Sequence, residues 1–134
     1  VLFRSPGVDS GLMIAQYTQA ALVSENKRLA VPASVDSIPS SAMQEDHVSM
    51  GWSAARKLRS AVGNLAKIIA IEYLTAARAL DLRAPLEPAP VTKKAIELLR
   101  KSAGGPGPDR FLAPDMEAAE ILIATGELAK IIKY

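Results

Sequence analysis

The chain contains no cysteine. That absence excludes disulfide bonds, thiolate metal ligands and a thiol nucleophile, and it fits a reducing compartment. The chain has a single histidine, His47, whereas a histidine-based metal site needs several. No Gly-x-Ser-x-Gly elbow or His-Glu-x-x-His motif occurs either. We therefore predict that the chain holds no metal ion and no familiar nucleophile triad.

Long apolar runs and patches of one charge are also missing. The most apolar stretch, residues 65–82, is interrupted by four charged side chains, whereas a membrane-spanning helix needs ~20 apolar residues. The formal net charge is only +2, and basic residues alternate with acidic ones, unlike a nucleic-acid surface. No signal peptide is recognisable. We expect a cytoplasmic protein that binds neither membranes nor nucleic acid.

What the sequence does have is helix-forming apolar mass. Hydrophobic residues make up 49% of the chain and aromatic residues 4%, so Ala, Leu, Ile and Val dominate. Apolar residues recur at steps of three and four, and no alternating strand pattern is present. The sequence therefore predicts an all-α fold, with helices over Gly11–Ala30, Gln44–Leu80, Thr92–Ser102, Pro114–Thr125 and Glu127–Lys133.

The longest predicted helix carries two apolar stripes. The first has heptad-like spacing and comprises Ala55, Leu58, Val62, Leu65, Ile69, Glu72, Ala76 and Ala79. The second lies beside it and comprises Ala54, Ala61, Ile68 and Ile71. Two stripes predict burial against more than one neighbour. A charged residue in such a seam is usually paired, so we interpret Glu72 as a buried partner of a Lys or Arg.

Most of the chemistry lies between two helices, in the segment from Ser34 to Gly51. Ser41 and Gln44 fit a capping box, which would place Glu45 in the first turn of the long helix. An amide beside a carboxylate on rigid backbone could also form a binding site. The residues alone favour the cap. We interpret His47 as a hydrogen-bonded, partly buried histidine near the helix end.

Two further segments have structural interpretations. The glycine-rich residues 104–108 follow no strand and precede no Lys-Ser/Thr pair, so we interpret them as a helix C-cap and linker instead of a phosphate loop. The start has no Met and no cap. We predict a non-native or disordered start at residues 1–7 and an incomplete helical domain over residues 8–134.

Three regions resemble the C-terminal part of the histidine ammonia-lyases, within the aromatic amino-acid ammonia-lyase family. They are Val8–Lys27, Pro32–Gly51 with its specific string QEDHVSMG, and the pair Ala70–Arg83 and Asp109–Ala119. The resemblance implies the long-helix bundle of a fumarase/aspartase-like homotetramer. It also implies non-oxidative deamination of L-histidine to urocanate. The electrophile is then a methylidene-imidazolone (MIO) formed from an internal Ala-Ser-Gly.

The resemblance assigns roles to two adjacent residues. Glu45 matches a family glutamate to which substrate binding or acid–base catalysis is assigned. Gln44 matches the adjacent glutamine that lines the same pocket. Phenylalanine-specific relatives have Gln where Glu45 stands, so this position favours histidine as substrate. One departure is Met43, where the family usually has Asn. No Ala-Ser-Gly occurs in the chain, so the chain alone should be inactive.

Two alternatives stay open from the sequence. The chain could be a non-catalytic helical oligomerisation module, or part of a related phenylalanine or tyrosine ammonia-lyase or aminomutase. An Ala-Ser-Gly encoded upstream would favour the enzyme. In either case the two-striped helix is expected to expose apolar surface when the chain is isolated.

Overall fold

The computed structural model of the chain describes residues 7–131. Within that range lie five α-helices and one short 3-10 helix at Ala33–Val35, and no strand is present. The all-α prediction is confirmed. Residues 1–6 of the predicted non-native start, and the last two residues of the tail predicted to reach Lys133, lie outside the described residues. The helices are α1 at Met13–Leu29, α2 at Gly51–Asp81, α3 at Pro90–Arg100, α4 at Ala113–Ala124 and α5 at Glu127–Ile131.

Helix α1 packs along the second apolar stripe of α2, of which only Ala54, at the start, is exposed. Gln19 Nε2 donates a hydrogen bond to the Ile68 carbonyl oxygen at 3.0 Å, and Asn26 Nδ2 donates to the Ala61 carbonyl oxygen at 3.3 Å. Ile71, further along the same stripe, is 2% exposed. Helix α2 has 31 residues and is therefore about 46 Å long. Helix α1 has only 17 residues, so it contacts only part of that length.

The C-terminal half of α2 packs against α3 and α4 around a small core. Leu99 is the largest side chain at its centre and is completely buried. Its buried neighbours are all alanines, whose small side chains allow the helices to approach closely. Partly buried residues such as Tyr73 and Leu122 pack around this core. The buried cluster is Ala70, Ala77, Leu99, Ala103 and Ala119.

Charged side chains fix the loop between α3 and α4. Arg100 Nη2 lies 2.5 Å from Asp81 Oδ2, and Arg100 Nη1 donates to the Gly104 carbonyl at 2.7 Å. Asp115 Oδ1 accepts from the Gly104 amide at 2.9 Å, and its other oxygen pairs with Arg110. Residues 101–112 contain no helix, so the interpretation of the glycine-rich segment as a linker is confirmed.

The first, heptad-spaced stripe of α2 faces solvent in this single chain. Four of its residues, at steps of four, three and four, keep large exposed fractions: Leu58 65%, Val62 57%, Leu65 50% and Ile69 40%. The expected exposure of apolar surface is thus confirmed. Glu72, in the same stripe, is exposed and forms no ion pair within residues 7–131. The interpretation of a buried, paired carboxylate was wrong for this chain, because no described helix covers the stripe.

Candidate functional site

The segment that carries Gln44 and Glu45 is a turn and not a helix N-terminus. Ser41, Ala42 and Met43 have φ angles of 51°, 53° and 68°, in the left-handed region that a right-handed helix does not enter. The Gln44 amide donates to the Ser41 backbone carbonyl at 3.1 Å, which is the bond of a turn. The predicted capping box was therefore wrong, and α2 begins seven residues later than predicted, at Gly51.

A pair of backbone hydrogen bonds closes this turn. The Glu45 amide donates to the Ser40 carbonyl at 3.2 Å, and the Ser40 amide donates to the Glu45 carbonyl at 3.1 Å. The two residues form an isolated antiparallel bridge. The backbone amide and carbonyl of Glu45 are thus both hydrogen-bonded within the turn. Its side chain takes no part in closing the turn.

A second closure lies three residues further out and depends on a side chain. The Val48 amide donates to Ser37 Oγ at 2.9 Å, and Ser37 Oγ donates to the Val48 carbonyl at 3.3 Å. We call residues 37–48 the Ser37–Val48 hairpin. Sequence reasoning missed Ser37, because one serine among several in a loop gives no periodic signal of its partner eleven residues away.

The hairpin is held beside the start of α2. Lys57, on α2, donates from Nζ to the Val31 carbonyl, and the 3-10 helix Ala33–Val35 also contacts α2. On the other side, Met50 leads directly into α2, where its carbonyl accepts the first helical hydrogen bond from the Ala54 amide at 3.0 Å. Glu45 is therefore carried by a short segment fixed at both ends to one helix.

The side chains of the hairpin tip face solvent in this chain. Gln44, Glu45, Asp46 and His47 are all exposed, so the interpretation of His47 as partly buried was wrong. A carboxylate accepts hydrogen bonds and an amide both donates and accepts, so Gln44 and Glu45 together offer complementary polar contacts to a ligand.

Other parts of the described chain hold one charged cleft but no metal centre. Within residues 7–131, no group of three or more His, Cys, Asp or Glu side chains is placed to hold a metal ion. No helix in that range combines the length and the apolar character needed to cross a membrane. A cleft between α1, α2 and residues 104–112 is lined by Arg78 and Asp109, but Gln44 and Glu45 lie elsewhere.

Comparison with known proteins places this hairpin in a family. A family model described as aromatic amino acid lyase matches residues 1–101 of the 134. The chain belongs to the aromatic amino acid lyase family. The matched range contains α1, α2 and the whole Ser37–Val48 hairpin, so the candidate site lies within the family's own sequence pattern.

The chain is also similar to individual relatives. A histidine ammonia-lyase from Streptomyces avermitilis is 69% identical over 123 residues, covering 91% of this chain and 24% of that protein. A histidine ammonia-lyase crystal structure from Trypanosoma cruzi matches with a TM-score of 0.92 and 44% identity, over 98% of this chain and 26% of that one. A tyrosine aminomutase structure from Streptomyces globisporus matches with a TM-score of 0.87 and 38% identity, over 96% and 24%.

These matches confirm the resemblance to histidine ammonia-lyases and the all-α ammonia-lyase fold. The chain spans about a quarter of the length of the curated relatives that it matches. It carries a share of an aromatic amino acid lyase and not the length of a whole one. The roles of Gln44 and Glu45 remain predictions.

Proposed function

We propose that residues 8–134 are the C-terminal helical portion of a histidine ammonia-lyase, which releases ammonia from L-histidine to give urocanate in histidine degradation in the cytoplasm. The observation that carries this proposal is Glu45, a carboxylate on a hairpin closed at two levels. The family match around it and the names of the relatives support the same reaction.

The role of Glu45 follows from the chemistry of the imidazole ring. A carboxylate accepts a charge-assisted hydrogen bond from an imidazole N–H, and such bonds are stronger than neutral ones. A phenyl ring has no N–H, so it would leave the desolvated carboxylate without a partner. The amide of the adjacent Gln44 offers a second polar contact to the substrate. The pair would thus select histidine over phenylalanine.

The electrophile of the reaction would come from outside this chain. The family implies a methylidene-imidazolone, which supplies the electrophilic centre needed to expel ammonia. The 134 residues include no Ala-Ser-Gly from which this group could form. The contribution of this chain is therefore to bind and orient the substrate, and the isolated chain should be inactive.

Assembly of the complete protein would bury the exposed stripe of α2. Leu58, Val62, Leu65 and Ile69 follow the four-three spacing by which helices interlock side chains with a neighbour. A contiguous apolar surface on a helix normally marks a protein contact. We propose that this stripe packs in the central helical bundle of a homotetramer, which also brings groups from other subunits towards Glu45.

A substrate panel tests the proposed function. The complete protein that contains this chain is assayed with L-histidine, L-phenylalanine and L-tyrosine, following the absorbance of the unsaturated product. We expect kcat/KM for L-histidine to exceed that for L-phenylalanine by at least about 10³-fold, because the unpaired carboxylate penalises the wrong ring. A preference for an aromatic substrate without an N–H, or formation of a β-amino acid, would replace this proposal by a phenylalanine or tyrosine lyase or an aminomutase.

A further inference from the structure

The hairpin that carries Glu45 has little backbone pairing of its own. The bridge between Ser40 and Glu45 is isolated, and the three residues before Gln44 are in a left-handed conformation that is costly for residues other than glycine. A two-stranded element of this size is marginally stable in water. Something beyond the bridge must therefore hold the tip in one orientation.

Backbone pairing does not continue from the bridge towards the base of the hairpin. In an antiparallel pair, the next residues able to exchange backbone hydrogen bonds would be Ile38 and His47, and they form none. The next contact between the two sides is made by the Ser37 hydroxyl, which accepts from the Val48 amide at 2.9 Å and donates to the Val48 carbonyl at 3.3 Å. One hydroxyl thus satisfies both backbone groups of Val48 and closes the base.

We propose that Ser37 is a positioning residue for substrate recognition, because its hydroxyl closes the base of the Ser37–Val48 hairpin and so fixes the direction of the Glu45 carboxylate. This inference rests on the proposed function of Glu45. Ser37 itself does not touch the substrate. Its hydroxyl acts through the backbone, and a small displacement of a binding group is enough to reduce the rate.

The first test compares substitutions at Ser37 in the complete protein. Ser37→Ala removes the hydroxyl, and we expect kcat/KM for L-histidine to fall about three- to tenfold. Ser37→Thr keeps the hydroxyl and should remain within about twofold of the parent, whereas Ser37→Val, of the same shape as Thr, should behave like Ala. The matched control is Ser34→Ala, an exposed serine of the 3-10 helix, which should leave the kinetics unchanged. Equal activities of the Thr and Val variants would overturn the proposal.

A second test separates positioning from general damage to the fold. Ser37→Ala is combined with Glu45→Gln, and the losses in kcat/KM are compared. If Ser37 acts through Glu45, Ser37→Ala causes little further loss in the Glu45→Gln background. A loss of the same size in both backgrounds would overturn the proposal, since it would reflect a merely structural role. An undiminished kcat/KM in Glu45→Gln alone would instead remove Glu45 from the site, and the role of Ser37 with it.

Discussion

Met43 offers a prediction that isolates the backbone of the candidate site. Its φ of 68° is left-handed, and its side chain is 78% exposed, so a substitution changes backbone preference more than packing. The left-handed conformation costs ordinary residues about 1–2 kcal/mol, whereas Asn tolerates it at a lower cost. We predict that Met43→Asn stabilises the closed hairpin by about 1 kcal/mol.

Amide hydrogen exchange measures this effect locally. The Ser40 and Glu45 amides donate across the bridge, so they exchange when the hairpin opens. A stabilisation of about 1 kcal/mol slows their exchange about fivefold. Neither residue follows position 43 directly in the sequence, so their intrinsic exchange rates stay the same. Ile38→Asn is a matched control, because Ile38 is 58% exposed in the same hairpin and has no positive φ; it should not slow exchange.

The opposite substitution tests whether the turn is left-handed in solution. Met43→Val introduces a β-branched residue, for which a positive φ is a genuine outlier. We expect the Ser40 and Glu45 amides to exchange faster in this variant. If Val and Asn at position 43 protect these amides equally, the turn is not left-handed in solution.

Two predictions concern the packing around α2. Leu99→Ala should lower the free energy of unfolding by about 3–5 kcal/mol in urea titrations, because the neighbouring alanines cannot fill the cavity. Leu99→Met should lower it by less than about 1.5 kcal/mol. Similar values for the two variants would contradict a tightly packed core. Burial raises the pKa of the Tyr73 phenol above its ordinary value of 10.0, so its neutral form is favoured in the fold. That contribution is complete below pH 10 and is lost as the pH rises through the folded pKa. Stability measured between about pH 9 and 12 should therefore fall more steeply for the parent than for Tyr73→Phe, and parallel curves would contradict this.

The helices themselves were largely predictable from the sequence. Apolar residues at steps of three and four determine where a helix can bury a face, so α1, predicted at 11–30, is observed at Met13–Leu29. The end of α2 was predicted within one residue, at Leu80 against Asp81. These elements are specified by local sequence, because the same residues form the helix and the buried stripe.

The start of α2 could not be predicted in the same way. The Ser-x-x-Gln pattern at residues 41–44 suits a helix cap, and Met and Gln are good helix formers. Serine, however, also favours turns. Nothing in the local pattern indicates three successive left-handed residues. The hairpin depends instead on pairing across it, between Ser40 and Glu45 and between Ser37 and Val48.

The burial of polar side chains could not be predicted from the sequence either. Glu72 was predicted to be paired and His47 partly buried, yet both are exposed here. The heptad stripe of α2 that carries Glu72 is likewise exposed, since no helix of the described residues packs on it. A periodic pattern identifies a face that needs a neighbour, but it does not tell which chain supplies that neighbour.

We propose that the Glu45 carboxylate binds the imidazole of the substrate. The most direct test of this binding is kcat/KM for L-histidine in the complete protein carrying Glu45→Gln, which keeps the size of the side chain and removes its charge. Replacing a charge-assisted hydrogen bond by a neutral one should lower kcat/KM at least about tenfold. An unchanged kcat/KM for L-histidine would show that this carboxylate does not bind the imidazole.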